Sequence, residues 1–519
     1  MTGSRVVVVG GGIAGLATAA LLASRGHSVD LLEKNDELGG RVGSVERDGF
    51  RFDTGASWYL MPEVFEHFFE LLGTTAEAEL DLTVLDPSYR VFFEGHPDPV
   101  DLRPDRAHNR ALFESLEPGA GDRFDDYLRS AEDTYDVALR RFLYSSFESP
   151  TSLVSGDVVR RAPSLGRLLT RSLERHVAAS FTDRRIQQVL GYPAVFLGSS
   201  PRRAPSIYHL MSRLDLGDRV LYPQGGFTRL IEVVADLARR HGARLHTGVE
   251  VVGVTTSDDS GRARVTGVEH RAATGGTEVL AADVVVGAAD LHHLETELLP
   301  EHLQTHPERA WRRRSPGPGA VLAMLGVDGE LPELAHHSLF FTADWRQNFG
   351  DIFGKDAKVP DPASIYVCKP SETDPTVAPT GSENLFVLVP VPADTSIGAG
   401  GDDGAGDGLV ERTADAAIDL VAGWAGVPDL RERIRVRHTI GPRDFEQRYH
   451  SWRGGALGLE HTLRQSAFLR PGNASAKVDG LLYAGATTIP GVGLPMCLIS
   501  AELVLKRLSG DRSSLPVTA

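Results

Sequence analysis

Four valines in unbroken succession, Val6–Val9, run directly into glycines at positions 10, 12 and 15, and this junction constrains the fold more than any other feature of the chain. A β-branched run of that kind predicts a parallel strand buried on both faces. The G-x-G-x-x-G spacing gives each glycine its own task. Gly10 permits a tight turn, Gly12 lets a pyrophosphate approach the backbone, and Gly15 lets a helix pack on the strand. The helix that starts here, with Ala14 in its first turn, offers free N–H groups and the positive end of its dipole to a phosphate. It runs through Ala17, Ala20 and Leu21 and ends at Gly26. A second apolar strand, Val29–Leu32, ends in Glu33, 18 residues after Gly15, where a ribose hydroxyl needs an acceptor. A lone glycine string means little, but strand, glycines, helix, strand and carboxylate in this order predict dinucleotide binding.

At 519 residues the chain is too long for one core, so two structural units are expected. Its 41% hydrophobic and 24% charged residues are those of a globular protein. A net charge of −16 argues against nucleic acid, which needs a concentrated basic face. It does not exclude a membrane surface, because a local basic patch can dock on anionic lipid. Two cysteines, Cys368 and Cys497, exclude a disulfide scaffold and a cysteine-ligated zinc site and fit a reducing cytoplasm. The apolar run Val6–Ala23 is broken by glycines at nucleotide-loop positions and no cleavage site follows it, so it reads as neither signal peptide nor membrane span. No other stretch is long enough to span, so the protein is expected to be soluble or peripheral.

Rossmann spacing does not separate NAD from FAD. The residues after Glu33 do: Lys34, then Gly39, Gly40 and Arg41. This E-K-x(4)-G-G-R sequence resembles the GR2 family of flavoproteins, which includes amine oxidases, protoporphyrinogen oxidases and carotenoid desaturases. The resemblance implies FAD as cofactor, with the Gly-Gly-Arg turn along its diphosphate. It also implies that Val251 meets the adenine through its backbone.

FAD domains of this family are discontinuous, and the expected fold class is α/β. A parallel sheet with a β-meander forms the FAD-binding unit from residues 1–75, 216–295 and 476–519, and a mixed α+β substrate unit is inserted as 76–215 and 296–475. A helix carrying Leu230, Val233, Val234 and Leu237 on one face stops at Gly242 and is followed by a strand pair. Residues 249–286 alternate as a meander does, and the Ala288-Ala289 turn after the next strand approaches the cofactor. Residues 480–508 read as strand, glycine-rich turn and helix. The stretch Gly398–Gly408 reads as an exposed mobile loop.

Longer strings narrow the family. RFDTGASWYLMPEVFEHFFELLG (Arg51–Gly73), YPQGGF (Tyr222–Phe227), HHSLFFTADWRQNFGDIF (His336–Phe353), WRGGALGLEHTLRQSAFLRP (Trp452–Pro471) and YAGATTIPGVGLPM (Tyr483–Met496) look like those of bacterial-type phytoene desaturases. The resemblance spans almost the whole chain. It implies desaturation of phytoene toward lycopene by successive hydride transfers to FAD, with quinone or oxygen as final acceptor. It adds Gly55, Ala56, Ser57, Gly485, Ala486, Gly493, Leu494, Pro495 and Met496 to the FAD contacts. It also implies a cytoplasmic enzyme held peripherally on the membrane. A carotenoid has no polar handle, so an apolar tunnel is expected, and no catalytic side chain stands out because the flavin does the difficult chemistry. Gly191–Gly198 and Ser206–Leu214 are candidate tunnel walls.

Three alternatives fare less well. His292-His293 and His336-His337 invite a metal, but strand neighbours point to opposite faces and no ligand spacing accompanies them, so none is expected. An amine oxidase usually carries an aromatic residue in the C-terminal flavin segment, and Ala486–Met496 has none. A non-catalytic prenyl-binding protein on this fold has a degraded nucleotide loop, whereas this one is intact. Residues 158–185 hold seven arginines, with Leu165, Leu169, Leu173, Val177 and Phe181 at four-residue spacing. Ser164–Arg185 is therefore expected to form one amphipathic helix that docks on anionic lipid.

Overall fold

The computed structural model describes residues 3–148, 161, 165–258, 261–272 and 275–518. A five-stranded parallel sheet lies at its base, in the order Leu481–Tyr483, Val284–Gly287, Arg5–Val9, Ser28–Leu32 and Arg244–His246. Both faces are covered, as an all-parallel sheet requires. Val6 and Val8 pack among the helices Ile13–Ser24, Gly226–Arg240 and Leu494–Ser509. Val7 and Val9 face a small antiparallel sheet built from Val251–Ser257, Ala263–Arg271 and Thr277–Ala281. The four valines thus serve two cores in alternation.

A seven-stranded sheet lies beyond, in the order Ile434–Ile440, Gly319–Asp328, Ser382–Val391, Ile365–Cys368, His337–Phe341, Tyr89–Phe93 and Val100–Leu102. The period of two in Gly319–Asp328 divides its side chains. Val321, Ala323 and Leu325 meet the helix Gly408–Ala425, while Ala320 and Leu322 face a cavity. The long helix Ala120–Ala138 and the segments around Leu173–Phe181 close the other side through Phe124, Tyr127, Leu173 and Phe181, packed with Phe113 of the helix Arg106–Leu116.

Three expectations are corrected. Arg244–His246 and Val251–Ser257 are not a pair, because the first joins the parallel sheet and the second the antiparallel one. Ser164–Arg185 is not one helix; Ser164 itself lies outside the described residues. The helices Leu173–Ala178 and Arg184–Gly191 are separate, and the chain between them is held by Glu117, whose carboxylate accepts the N–H groups of Thr182 and Asp183 at 2.8 and 2.7 Å. Leu173, Val177 and Phe181 are core and bury into the protein's own interior, whereas Leu169 of the same stripe is exposed. The Gly398–Gly408 stretch is tied down. Gly400 and Gly401 donate to Asp444 and Thr439 at 2.6 and 2.9 Å, and Arg47 pairs with Asp402 and Asp403. A side chain at Gly400 would put its Cβ 1.9 Å from the Thr439 carbonyl oxygen, so glycine there serves close approach and not freedom.

Candidate active site

The three loop glycines differ physically. Gly10 has φ +106°, a left-handed turn. A Cβ at Gly15 would lie 2.0 Å from the Gly10 carbonyl oxygen, so Gly15 is consumed by helix–strand packing. A Cβ at Gly12 would meet nothing nearer than the Gly39 carbonyl oxygen at 3.9 Å. Gly12 opens onto a cavity of about 890 Å³. Gly40 (φ +58°) stands opposite, a Cβ there lying 3.3 Å from the Gly12 Cα, so two side-chain-free backbones flank the start of the helix Ile13–Ser24.

Arg41 lies against this gap. Its Nη2 donates to Ser451 Oγ and sits 3.6 Å from the Asp290 carboxylate, while its Nε is buried with no acceptor among the described residues. An unpaired buried guanidinium N–H is costly. An anion placed over Gly12 and Gly40 would supply that acceptor, together with the unpaired N–H groups of the helix start. The residues therefore fit the diphosphate of a dinucleotide. Glu33 is more occupied than its spacing suggested. Its carboxylate accepts from the Gly11 N–H at 2.6 Å and from the backbone and side-chain amides of Asn35 at 2.9 and 2.8 Å, which locks the loop before any ribose is bound.

Gly10, Gly12, Ala14, Glu33, Lys34, Gly40, Arg41, Gly55, Ala56, Ser57 and Val251 line one cavity with Gly485, Ala486, Gly493, Leu494, Pro495 and Met496. Gly15 does not reach it. Several lining residues were not singled out from the sequence. Arg448, Tyr449 and His450 follow from the helix Pro442–Tyr449, far along the chain, and line the cavity with the glycine loop, at what would be a nucleotide end. Lys34 donates to the Gln447 carbonyl at 2.7 Å, and the His293 and His450 rings stack at 3.8 Å. Burial, and then the neighbouring His450, push the His293 imidazole down to about 4, so it is neutral.

Beyond the Ala486–Met496 turn the cavity becomes an apolar arm. Ala320, Leu322, Leu388 and Phe341 form one wall. Both candidate stretches contribute to the other, through Val195, Phe196, Ile207, Leu210 and Met211, whereas Ala194 and His209 belong to the interior. The carboxylates that line the cavity, Glu33, Glu250 and Asp290, all sit with Arg41, Lys34 and His450 at the nucleotide end. A cationic amine in the arm would have no counter-ion among the described residues. The arm reaches the surface between Leu169, Leu463, Phe468 and Leu469, which are 38%, 44%, 58% and 50% exposed. Large apolar side chains clustered in the open are uncommon.

The histidine pairs behave differently from expectation. His292 and His293 lie in the helix Leu291–Thr296, not in a strand. His336 precedes the strand His337–Phe341, so the two rings do not diverge but meet edge to face at 4.6 Å, with Cys368 close by. Their Nδ1 atoms are engaged by Thr373 and Tyr366, and His337 stacks on Trp58 at 4.3 Å.

Comparison with known proteins agrees with this geometry. The profile of the family described as flavin containing amine oxidoreductase matches residues 13–504. The chain is 41% identical over 511 residues to the carotenoid 3,4-desaturase of Haloarcula japonica, covering 98% of this chain and 99% of that one. It is 35% identical over 512 residues to the zeta-carotene-forming phytoene desaturase of Myxococcus xanthus, covering 98% and 94%. The crystal structure of an oxidoreductase from Methanosarcina mazei superposes with TM-score 0.60 at 16% identity, covering 97% of this chain and all of that one, a likeness of fold.

Proposed function

The chain belongs to the flavin containing amine oxidoreductase family and is an FAD-dependent carotenoid desaturase, and from that premise we propose that it takes phytoene toward lycopene. The observation that supports this reading is the apolar arm, which opens from the nucleotide cavity and holds no carboxylate among its described residues. When bound, FAD supplies the hydride acceptor. The chain's own residues bind, orient and exclude water. Gly12, Ala14 and Gly40 admit the diphosphate to the helix start, and Arg41 directs its unpaired Nε toward it. Glu33 and Lys34 lie at the ribose and Val251 at the adenine. Residues 55–57, with Gly485, Ala486, Gly493, Leu494, Pro495 and Met496, form the bed of the isoalloxazine. Segments 1–75, 216–295 and 476–519 act as the cofactor unit, and 76–215 with 296–475 as the substrate unit. The helix Pro442–Tyr449 is a lid that the substrate unit lends to the nucleotide end.

A hydrocarbon reaches such a site only from lipid. No helix among the described residues is long and apolar enough to cross a membrane. The exposed rim of Leu169, Leu463, Phe468 and Leu469 is therefore the surface that rests in the bilayer, with the exposed Arg167, two residues before Leu169, for anionic headgroups. Quinone or oxygen removes the electrons afterwards.

A second reading, introduction of a double bond at the 3,4 position of an already conjugated polyene, is favoured by the higher identity to the Haloarcula japonica enzyme. Pigment analysis of cells supplied with phytoene separates the two. Accumulation of lycopene or its intermediates supports the first. Unchanged phytoene, with desaturation only when lycopene-type polyenes are supplied, supports the second.

A further inference from the structure

Removing two hydrogens from adjacent carbons needs a hydride acceptor and a base. The cofactor is the first; none of the residues assigned to its binding supplies the second. His461 lines the cavity at the Ala486–Met496 turn and is 3% exposed. Its Nδ1 lies 2.9 Å from the Leu197 carbonyl oxygen. A carbonyl only accepts, so that nitrogen carries the proton and the lone pair of the neutral ring is on Nε2. Nε2 abuts Gly491: a Cβ there would fall 2.3 Å from it. Gly491, at φ +149°, belongs to the same turn. Nε2 has no hydrogen-bond partner among the described residues.

The other titratable groups on the arm are engaged or inert. The hydroxyls of Tyr135, Tyr192 and Tyr208 are given to Glu63, Asp215 and Ser466, and that of Tyr366 contacts Ser57 and His337. Burial pushes the Cys497 thiol up to about 12. Glu460, next to His461, is turned away to Ser199 and Arg203. Arg470 is buried and donates to the carbonyls of Leu459, Gln465, Ala486 and Thr488, which fastens the His461 segment to the flavin turn.

We propose that His461 is the catalytic base of the desaturation, its Nε2 taking the proton from the carbon next to the one that loses hydride. One C–H bond leaves with both electrons to FAD. The other gives its proton to Nε2, and its electron pair becomes the new π bond. The imidazolium so formed is opposed by the charge the hydride has delivered. Burial, and then Arg470, hold this ring well below the usual histidine range, which keeps the base neutral beforehand and expels the proton afterwards. The inference rests on the desaturase reading above.

The test uses the full-length FAD-loaded protein and its His461→Gln and His461→Ala variants, mixed without oxygen with phytoene in liposomes while flavin bleaching is followed. The glutamine variant should keep its FAD and bleach roughly 10²- to 10⁴-fold more slowly. Added imidazole should partly restore the alanine variant. In the cofactor-free parent, ¹⁵N resonances should show the His461 proton on Nδ1 between about pH 5 and 8. Bleaching at the parent's rate, a proton on Nε2, or loss of FAD from both variants (a ring that only props Gly491) overturns the inference. A parent that bleaches with neither phytoene nor lycopene-type polyenes overturns the desaturase reading beneath it, and the base with it.

Discussion

Gly12→Val should separate folding from cofactor binding. Gly12 has φ −70° and ψ 174°, extended backbone that any residue adopts, and its nearest neighbour to an added Cβ is 3.9 Å away. The substitution therefore stores no strain, and the stability of the cofactor-free chain should change by less than about 1 kcal/mol, partly offset by a stiffer unfolded state. The isopropyl group instead fills the gap between Gly12 and Gly40. Charge-assisted hydrogen bonds from the helix start contribute about 1.5–3 kcal/mol each. Losing two raises the FAD dissociation constant roughly 10²- to 10⁴-fold. Gly15→Ala is the contrast, because its Cβ would lie 2.0 Å from the Gly10 carbonyl oxygen and the helix must move. That variant should lose about 1–3 kcal/mol of stability as well as affinity. Flavin-fluorescence titration and thermal unfolding of the cofactor-free proteins read the two effects separately. Parental FAD affinity in Gly12→Val would refute the placement of the diphosphate.

Glu33→Ala should weaken FAD binding and also destabilise the cofactor-free loop, since it strips the acceptor from Gly11 and Asn35; unchanged unfolding would show the locking role to be wrong. Replacing Phe468 and Leu469 with serine should abolish co-sedimentation with vesicles at full FAD content, because each side chain contributes about 1.5–3 kcal/mol when buried in hydrocarbon. Vesicle binding equal to the parent's would place the mouth elsewhere. Asp215 is buried and accepts from Tyr89 and Tyr192, and burial raises its carboxyl to about 7. A raised folded value favours the protonated form, so its contribution is complete below about pH 4 and is lost as pH rises through 7. Asp215→Asn keeps the acceptor without the charge, so its melting temperature should gain on the parent's across that window; a difference independent of pH contradicts this. Turnover should proceed with FAD and oxygen or a quinone, and strict dependence on added NAD or NADP would overturn the electron route.

The conformation of the glycine loop was largely legible because its logic is local. Strand, turn, helix and Glu33 succeed one another within a short stretch, and steric demands at Gly10 and Gly15 leave few residue choices. What escaped was assembled from distant segments. His450 and Gln447 come to Lys34 only because the chain returns after the seven-stranded sheet, and nothing in Pro442–His450 announces that contact. The Ser164–Arg185 stripe misled because apolar spacing records burial, not continuity: Leu173, Val177 and Phe181 keep their period into one core although the helix ends at Ala178, and Leu169 stays outside it. His461 carried no spacing signal at all; its significance lies in which nitrogen Leu197 leaves free.

The central claim is tested most directly by mixing purified FAD-loaded protein with phytoene in liposomes, without oxygen or nicotinamide, and recording the whole spectrum. The account expects flavin absorbance to fall as a longer polyene chromophore appears, one equivalent of flavin per new double bond. Flavin that stays oxidised in the presence of phytoene and of lycopene-type polyenes alike would contradict it.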